Sequence, residues 1–269
     1  MRSPRVDLTF LWTCWSDPPL DIRVDNFFSG DRPILIGHRG AAAVVDENTI
    51  ESVQHAVDLG IRAVEIDIQA TRDGHAVLLH DETLDRTTNG SGRSDQLDLA
   101  EIQKLRTTSG FSIPTLEELF AAFQKKDLRF FVDMKRVEGF ESYVLDLVHK
   151  YDLIERALFD TERMDVAARL REVDADAYVA ISPLNVLKRG SWIQTALDAG
   201  ANHIDAFHHF LTKGFINRTH EAGLTASAWI VNNHATVDRL RDRGADGIMG
   251  DYPEIFVDEK AKDHSNSPF

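Results

Sequence analysis

The sequence predicts an α/β protein in which eight parallel strands alternate with helices and close into a barrel. Three observations carry this. Short apolar runs alternate with amphipathic stretches along most of the chain, and strands separated by helices pair in parallel. Eight such units fit within the 269 residues, a length normal for a closed (β/α)8 barrel. The competing open doubly wound sheet calls for a glycine-rich G-x-G-x-x-G at the first helix, and the sequence has none there.

The elements follow in order. Residues 34–36, ILI, read as the first strand. Residues 48–59 read as a helix, with Ile50, Val53, Ala56 and Val57 on one face, Asn48 as N-cap, Glu51 three residues on and Gly60 as the stop. The second strand, 63–68, runs on to an Asp73-Gly74 turn and a second extended run at 76–80, which predicts a hairpin with His80 opposite Asp67. Residues 82–126 are an excursion with helices at 99–105 and 116–123, the latter opened by Thr115 and Glu118 at capping-box spacing. Strands are then expected at 129–133, 157–159, 178–181, 203–205, 227–231 and 247–249. Helices are expected at 140–150, 164–172, 193–199, 213–222 and 235–243, the last three stopped by Gly200, Gly223 and Gly244. No low-complexity segment appears, and no repeat beyond the strand–helix unit.

This gives an N-terminal arm at 1–30, a barrel at 31–257 with its insertion at 82–126, and a polar tail at 258–269. Residues 8–15 are apolar, but Asp7 and Asp17 bracket them and the run is short for a secretory core, so the arm is expected to cover the barrel bottom. No segment is long and apolar enough to span a bilayer. The net charge of -14, without a Lys/Arg run, argues against nucleic acid or an anionic membrane as partner. Cys14 stands alone, so no intrachain disulfide can form, which fits a reducing, cytoplasmic setting. The sequence is silent on oligomeric state.

Barrels of this kind carry their active sites at the C-terminal ends of the strands. Those ends deliver His38 and Arg39, then Glu65 and Asp67, then His80 and Asp81 from the hairpin. Next come Asp133 and Lys135, then Trp229 and Asn232, and finally Gly250-Asp251. Glu65 and Asp67 are two residues apart on a strand and point the same way. With Asp133 they make three carboxylates at one mouth, which repel unless a cation neutralises them. Carboxylate oxygens suit Mg²⁺ or Ca²⁺. Arg39 and Lys135 could hold a phosphate beside that metal. His38 and His80 suit the proton transfers of diester cleavage near neutral pH. His203, His208 and His209 are expected at the surface or rim, because adjacent residues of an extended chain point apart and no third ligand has suitable spacing.

Several ordered motifs extend this. HRG at 38–40, ENT at 47–49, EID at 65–67, TRDG at 71–74, LLHD at 78–81 and LDRTTNGSG at 84–92 are followed by IPTLEELF at 113–120. DMK at 133–135, WIVN at 229–232 and GADGIMGDYP at 244–253 complete the set. Together they resemble the glycerophosphodiester phosphodiesterases, from about residue 34 to 253. The resemblance implies a TIM barrel with a small inserted subdomain at 82–126 beside the mouth. It implies Glu65, Asp67 and Asp133 as metal ligands, His38 and His80 as the catalytic pair, and Arg39 and Lys135 as phosphate binders. Glu47 and Trp229 match positions lining the substrate site. The departures are Asp133 where the family usually has Glu, Asp46 where a proline often precedes ENT, Ile230 in the WIVN motif, and Gly250 in place of a threonine. The implied reaction is metal-dependent hydrolysis of glycerophosphodiesters to glycerol 3-phosphate and an alcohol. Two alternatives stay open: a lyase-type transfer releasing a cyclic phosphate, for which Asp133 is the only support, and hydrolysis of a sugar phosphodiester.

Overall fold

The computed structural model describes residues 27–28, 33–135, 139–183 and 190–257. The apolar run 8–15 with Cys14, the rest of the arm apart from Phe27 and Phe28, and the tail 258–269 lie outside the described residues.

Nine strands appear among those residues: β1 Ile34–Gly37, β2 Ala63–Ala70, β3 Ala76–Leu78, β4 Arg129–Met134, β5 Ala157–Thr161, β6 Tyr178–Ile181, β7 His203–Phe207, β8 Thr225–Trp229 and β9 Gly247–Gly250. Their order is β1-β9-β8-β7-β6-β5-β4-β2, and β1 also pairs with β2, so eight parallel strands close a ring. β3 pairs antiparallel with β2 and stands outside it. The helices are α1 Ile50–Asp58, α2 Leu99–Ile102, α3 Leu116–Phe123, α4 Glu141–Lys150, α5 Met164–Val173, α6 Trp192–Asp198, α7 Lys213–Glu221, α8 His234–Arg243 and α9 Glu254–Val257. This is the (β/α)8 barrel the alternating pattern predicts.

Strands covered on both faces must be apolar on both. Outward residues such as Ile66, Phe130, Val132, Phe159 and Val179 pack under the helices. Inward residues Ile34, Ile36, Ala63, Phe131, Leu158, Tyr178, Ala180 and Met249 form a second cluster with Phe27 and Phe28 inside the ring. The excursion has its own small core of Val77, Leu79, Leu84, Ile102 and Ile113.

Several local expectations are corrected. The hairpin register pairs Ile68 with Leu78, and the Leu79 N–H donates to the Asp67 carbonyl at 3.1 Å, so Asp67 faces Leu79 and His80 lies one residue on. The Thr71 N–H bonds the His75 carbonyl and Gly74 takes φ 85, so the loop is one residue longer than a two-residue Asp-Gly turn. The cap of α1 is Thr49, whose hydroxyl accepts from the Ser52 N–H at 3.0 Å, while Asn48 adopts φ 57 outside the helix. The capping box of α3 forms as its spacing predicts. His203 is not a rim residue: it is fully buried inside the barrel, bonded through Nδ1 to Thr225 and through Nε2 to Ser227, both at 2.6 Å. The side chains of His208 and His209 do not point apart, because 208–210 is a 3-10 turn that brings their rings to 4.1 Å.

Candidate active site

Above the apolar floor the barrel interior turns polar. Alternation along the strands sends Glu65 and Asp67 of β2, Asp133 of β4, Asp160 of β5 and Asp205 of β7 inward, with Ser182 just beyond β6. All of them line one cavity of about 190 Å³ at the C-terminal ends of the strands, together with His38, Arg39, His80, Lys135 and Trp229. Eight of the nine residues singled out from the sequence therefore meet there. The ninth, Glu47, stands behind Arg39 instead.

The loop after β1 is shaped by close approach. A Cβ at Gly37 would meet the Gly40 carbonyl oxygen at 2.1 Å, and one at Gly40 would meet Ser52 Oγ at 2.5 Å. Arg39 between them holds φ 50, a region a non-glycine residue seldom adopts. In that pose its backbone N–H donates to Glu65 Oε2 at 2.9 Å. Its guanidinium reaches Glu47 at 2.8 Å and Asp67 at 3.1 Å. Asn48, also left-handed, grips Asp67 twice: Nδ2 donates to Oδ2 at 2.8 Å, and Oδ1 accepts the Asp67 N–H at 3.0 Å. Lys135 Nζ donates to Asp133 and lies 3.2 Å from Asp67 Oδ1.

Each histidine is held by a carboxylate. His38 Nδ1 bonds Asp251 Oδ1 at 2.6 Å, and Asn232 fixes Asp251 through two hydrogen bonds of 2.7 and 2.9 Å. His80 Nδ1 bonds Asp81 Oδ1 at 2.6 Å. Arg86 then bridges Asp81 and Glu47 through four bonds of 2.7–3.1 Å, joining the His80 side of the mouth to Arg39. A carboxylate can only accept, so Nδ1 carries the proton in both rings and Nε2 is left for exchange. His38 Nε2 lies 3.8 Å from Glu65 Oε2.

The electrostatics follow from packing acids together in a dry place. Burial, then the charges of Asp67 and Asp133, hold the Glu65 carboxyl well above its ordinary range. Burial also pushes Asp67 up, but Lys135 and Arg39 overcome it and bring Asp67 down to about 2. Burial lifts Asp133 to about 7, with Lys135 opposing and Asp67 adding. Ligand oxygens of Glu65, Asp67 and Asp133 come within 4.8 Å of one another, the one such group among the described residues. An all-carboxylate set at that spacing fits a hard divalent cation, whose charge would relieve the repulsion that raises Glu65.

Asn48, Asp251, Asp81, Arg86 and Asn232 shape the site although the sequence assigned them no part in it, Asn48 being expected only as a helix cap. Asp81, Asp251 and Asn232 did carry a signal, since they sit at strand ends beside residues already singled out. Asp160, Asp205 and Ser182 carried none. Gly250 is explained by space: a Cβ there would lie 2.3 Å from the Val231 carbonyl oxygen.

Comparison with known proteins agrees with this geometry. The model of the glycerophosphoryl diester phosphodiesterase family matches residues 38–255. A glycerophosphodiester phosphodiesterase of Caldanaerobacter subterraneus is 30% identical over 84% of this chain and 97% of its own. Among solved structures, a glycerophosphodiester phosphodiesterase from Agrobacterium tumefaciens superposes with a TM-score of 0.74 at 22% identity, covering 83% of this chain and 98% of that one. A phosphodiesterase from Oleispira antarctica, solved with the product sn-glycerol-3-phosphate, superposes with a TM-score of 0.73 at 24% identity, covering 83% and 94%. The strand-end histidines, the carboxylate trio and the match across most of the barrel agree: this chain belongs to the glycerophosphoryl diester phosphodiesterase family.

Proposed function

We propose that this phosphoric diester hydrolase cleaves glycerophosphodiesters to glycerol 3-phosphate and an alcohol, with His38 and His80 as its acid–base pair. The observation that carries the reading is the pair of imidazoles lining one cavity, each with Nδ1 tied to its own carboxylate and Nε2 left to exchange. One ring takes a proton at Nε2 from the water that attacks phosphorus. The other gives a proton from Nε2 to the departing alkoxide, so no free alkoxide has to leave. Asp251 and Asp81 fix the rings and stabilise whichever is the imidazolium.

Glu65, Asp67 and Asp133 would hold Mg²⁺ or Ca²⁺. Bound there, the ion supplies charge stabilisation to the phosphoryl oxygens as negative charge builds on them. Arg39 and Lys135 already balance these acids and present cationic faces to the cavity, where they would orient the phosphate. Glu47, tied to both Arg39 and Arg86, sets the Arg39 fork rather than touching substrate.

The test is a diester hydrolysis assay with Mg²⁺ or Ca²⁺ and after exhaustive chelation, with phosphorus-31 NMR of the product. Open glycerol 3-phosphate, formed only with metal, is expected. A cyclic phosphate would overturn the product assignment, and full activity after chelation would overturn the metal site.

A further inference from the structure

We infer that the far wall of the cavity, formed by Asp160, Glu162 and Asp205, is a subsite for a positively charged alcohol group, a primary ammonium of the ethanolamine class. The inference rests on the proposed diesterase reading and names the alcohol that reading leaves open.

Barrel interiors are dominated by branched apolar side chains. Here β5 and β7 each bury an acid instead. Asp160 is 3% exposed; its Oδ2 accepts from Ser182 at 2.6 Å, and its Oδ1 has no hydrogen-bond partner although it is buried. Leaving a buried carboxylate oxygen unpaired costs more than leaving a neutral group unpaired. That oxygen belongs to a side chain that lines the cavity, so a ligand donor can satisfy it.

Asp205, also 3% exposed, is held from behind by a chain of neutral groups. Ser227 donates to it, His203 bonds Ser227 and Thr225, and Tyr178 bonds Thr225 at 2.9 Å. The chain fixes the carboxylate and adds no positive charge. The cations of the cavity form their ion pairs on the opposite side: Arg39 with Glu47 and Asp67, Lys135 with Asp133 and Asp67. Among the described residues no Lys or Arg forms an ion pair with Asp160, Glu162 or Asp205. Trp229 and Phe131 line the same cavity, and aromatic rings tolerate a neighbouring cation. An ammonium brings both what Asp160 Oδ1 lacks, a donor, and what the wall lacks among the described residues, a cation in ion-pair contact. A neutral polyol brings only the first.

The test compares kcat/KM for glycerophosphoethanolamine and glycerophosphoglycerol in the wild-type protein and in Asp160→Asn, an isosteric change that keeps an acceptor for Ser182. The wild type should favour the ammonium diester. Asp160→Asn should cut that preference by about tenfold or more, the scale of one charge-assisted hydrogen bond. Equal losses on both diesters, or a wild type without preference, would overturn the subsite. Ligand-observed NMR with ethanolamine and its neutral isostere ethylene glycol separates the subsite from the reaction. Should neither diester turn over, ethanolamine binding that weakens in Asp160→Asn and in Asp205→Asn still upholds the subsite while the diesterase reading falls. Equal binding of the two probes overturns the subsite.

Discussion

The two arcs of the barrel mouth are both acidic, but they are neutralised differently. On the β1–β2–β4 arc, Glu65, Asp67 and Asp133 meet Arg39 and Lys135, and Asn48 locks Asp67 in place. On the β5–β7 arc, the hydrogen-bond partners of Asp160 and Asp205 among the described residues are the hydroxyls of Ser182 and Ser227. Burial raises the acids on both sides: Asp205 rises to about 7, and Asp160 rises well above its ordinary range with Asp133 and Asp205 adding to burial. Only on the first arc do cations pull one of them, Asp67, back to about 2. An arc with its countercharges built in is set for one fixed task. An arc whose acids form no ion pair among the described residues takes its countercharge from what it binds.

The comparison breaks most visibly at the trio. Glu65→Ala or Asp67→Ala should lower turnover by about a thousandfold, the several kcal/mol a bound cation contributes to charge stabilisation. Calorimetric titration with Mg²⁺ or Ca²⁺ should show the binding heat lost in the same variants. Wild-type turnover in either one would remove the carboxylates from the chemistry.

Next come the two rings. His38→Ala and His80→Ala should each cost about a hundredfold in kcat, the usual scale for a general acid or base. A nitrophenyl diester, whose leaving group needs no proton, should rescue only the variant that lost the acid. Rescue of both or of neither would reject the division of labour. One step further out, Asp251→Asn keeps an acceptor for His38 but loses the charge behind it, and kcat should drop by about tenfold while KM moves less. Steady-state kinetics on the purified variant reads this directly, and an unchanged kcat would make Asp251 a packing residue.

Beneath the second arc the effect is on stability rather than turnover. Burial pushes His203 down to about 3. The unfolded chain takes up a proton on this ring near pH 6.5, whereas the folded one waits until about 3. Between those values the unfolded state holds more protons, so stability is lost as pH falls, by at most about 1.4 kcal/mol per pH unit from this ring. Melting temperatures between pH 6.5 and 4.5 should fall more steeply for the wild type than for His203→Gln, whatever the variant's stability at pH 7. Parallel curves would show the ring to be protonated inside the barrel.

Strands and strand-end chemistry were legible in the sequence because both are local. An apolar run ends, the next polar residue sits at the mouth, and a spacing of two puts Glu65 with Asp67 and Asp133 with Lys135. What escaped depends on neighbours distant in the chain. Asn48 has the composition of a helix cap, and only its left-handed backbone and a partner 19 residues away make it a clamp on Asp67. His203 looked like a rim residue because its partners, Thr225 and Ser227, belong to the next strand. Asp160 and Asp205 each resemble an ordinary acid at the end of a run, and pairing across the sheet is what sets them around one cavity. The hairpin slipped by one residue because Asp-Gly serves two-residue and three-residue loops alike.

Phe27 and Phe28 have a practical consequence for where this domain is cut. Phe28 stacks on His203 at 4.6 Å, and Phe27 packs edge-on to Phe131 at 6.3 Å, so the two rings are part of the barrel's own filling. The stretch matched by the family model begins only at residue 38. An expression boundary drawn at that match would delete both rings and also β1, and one drawn at residue 33 would still delete the rings. Each lost phenylalanine costs about 3–5 kcal/mol where the hole cannot collapse, a large part of the margin by which an ordinary domain stays folded. A melting curve of the chain begun at residue 33, set beside that of the longer chain, measures how much of the barrel's stability is supplied from outside its recognised borders.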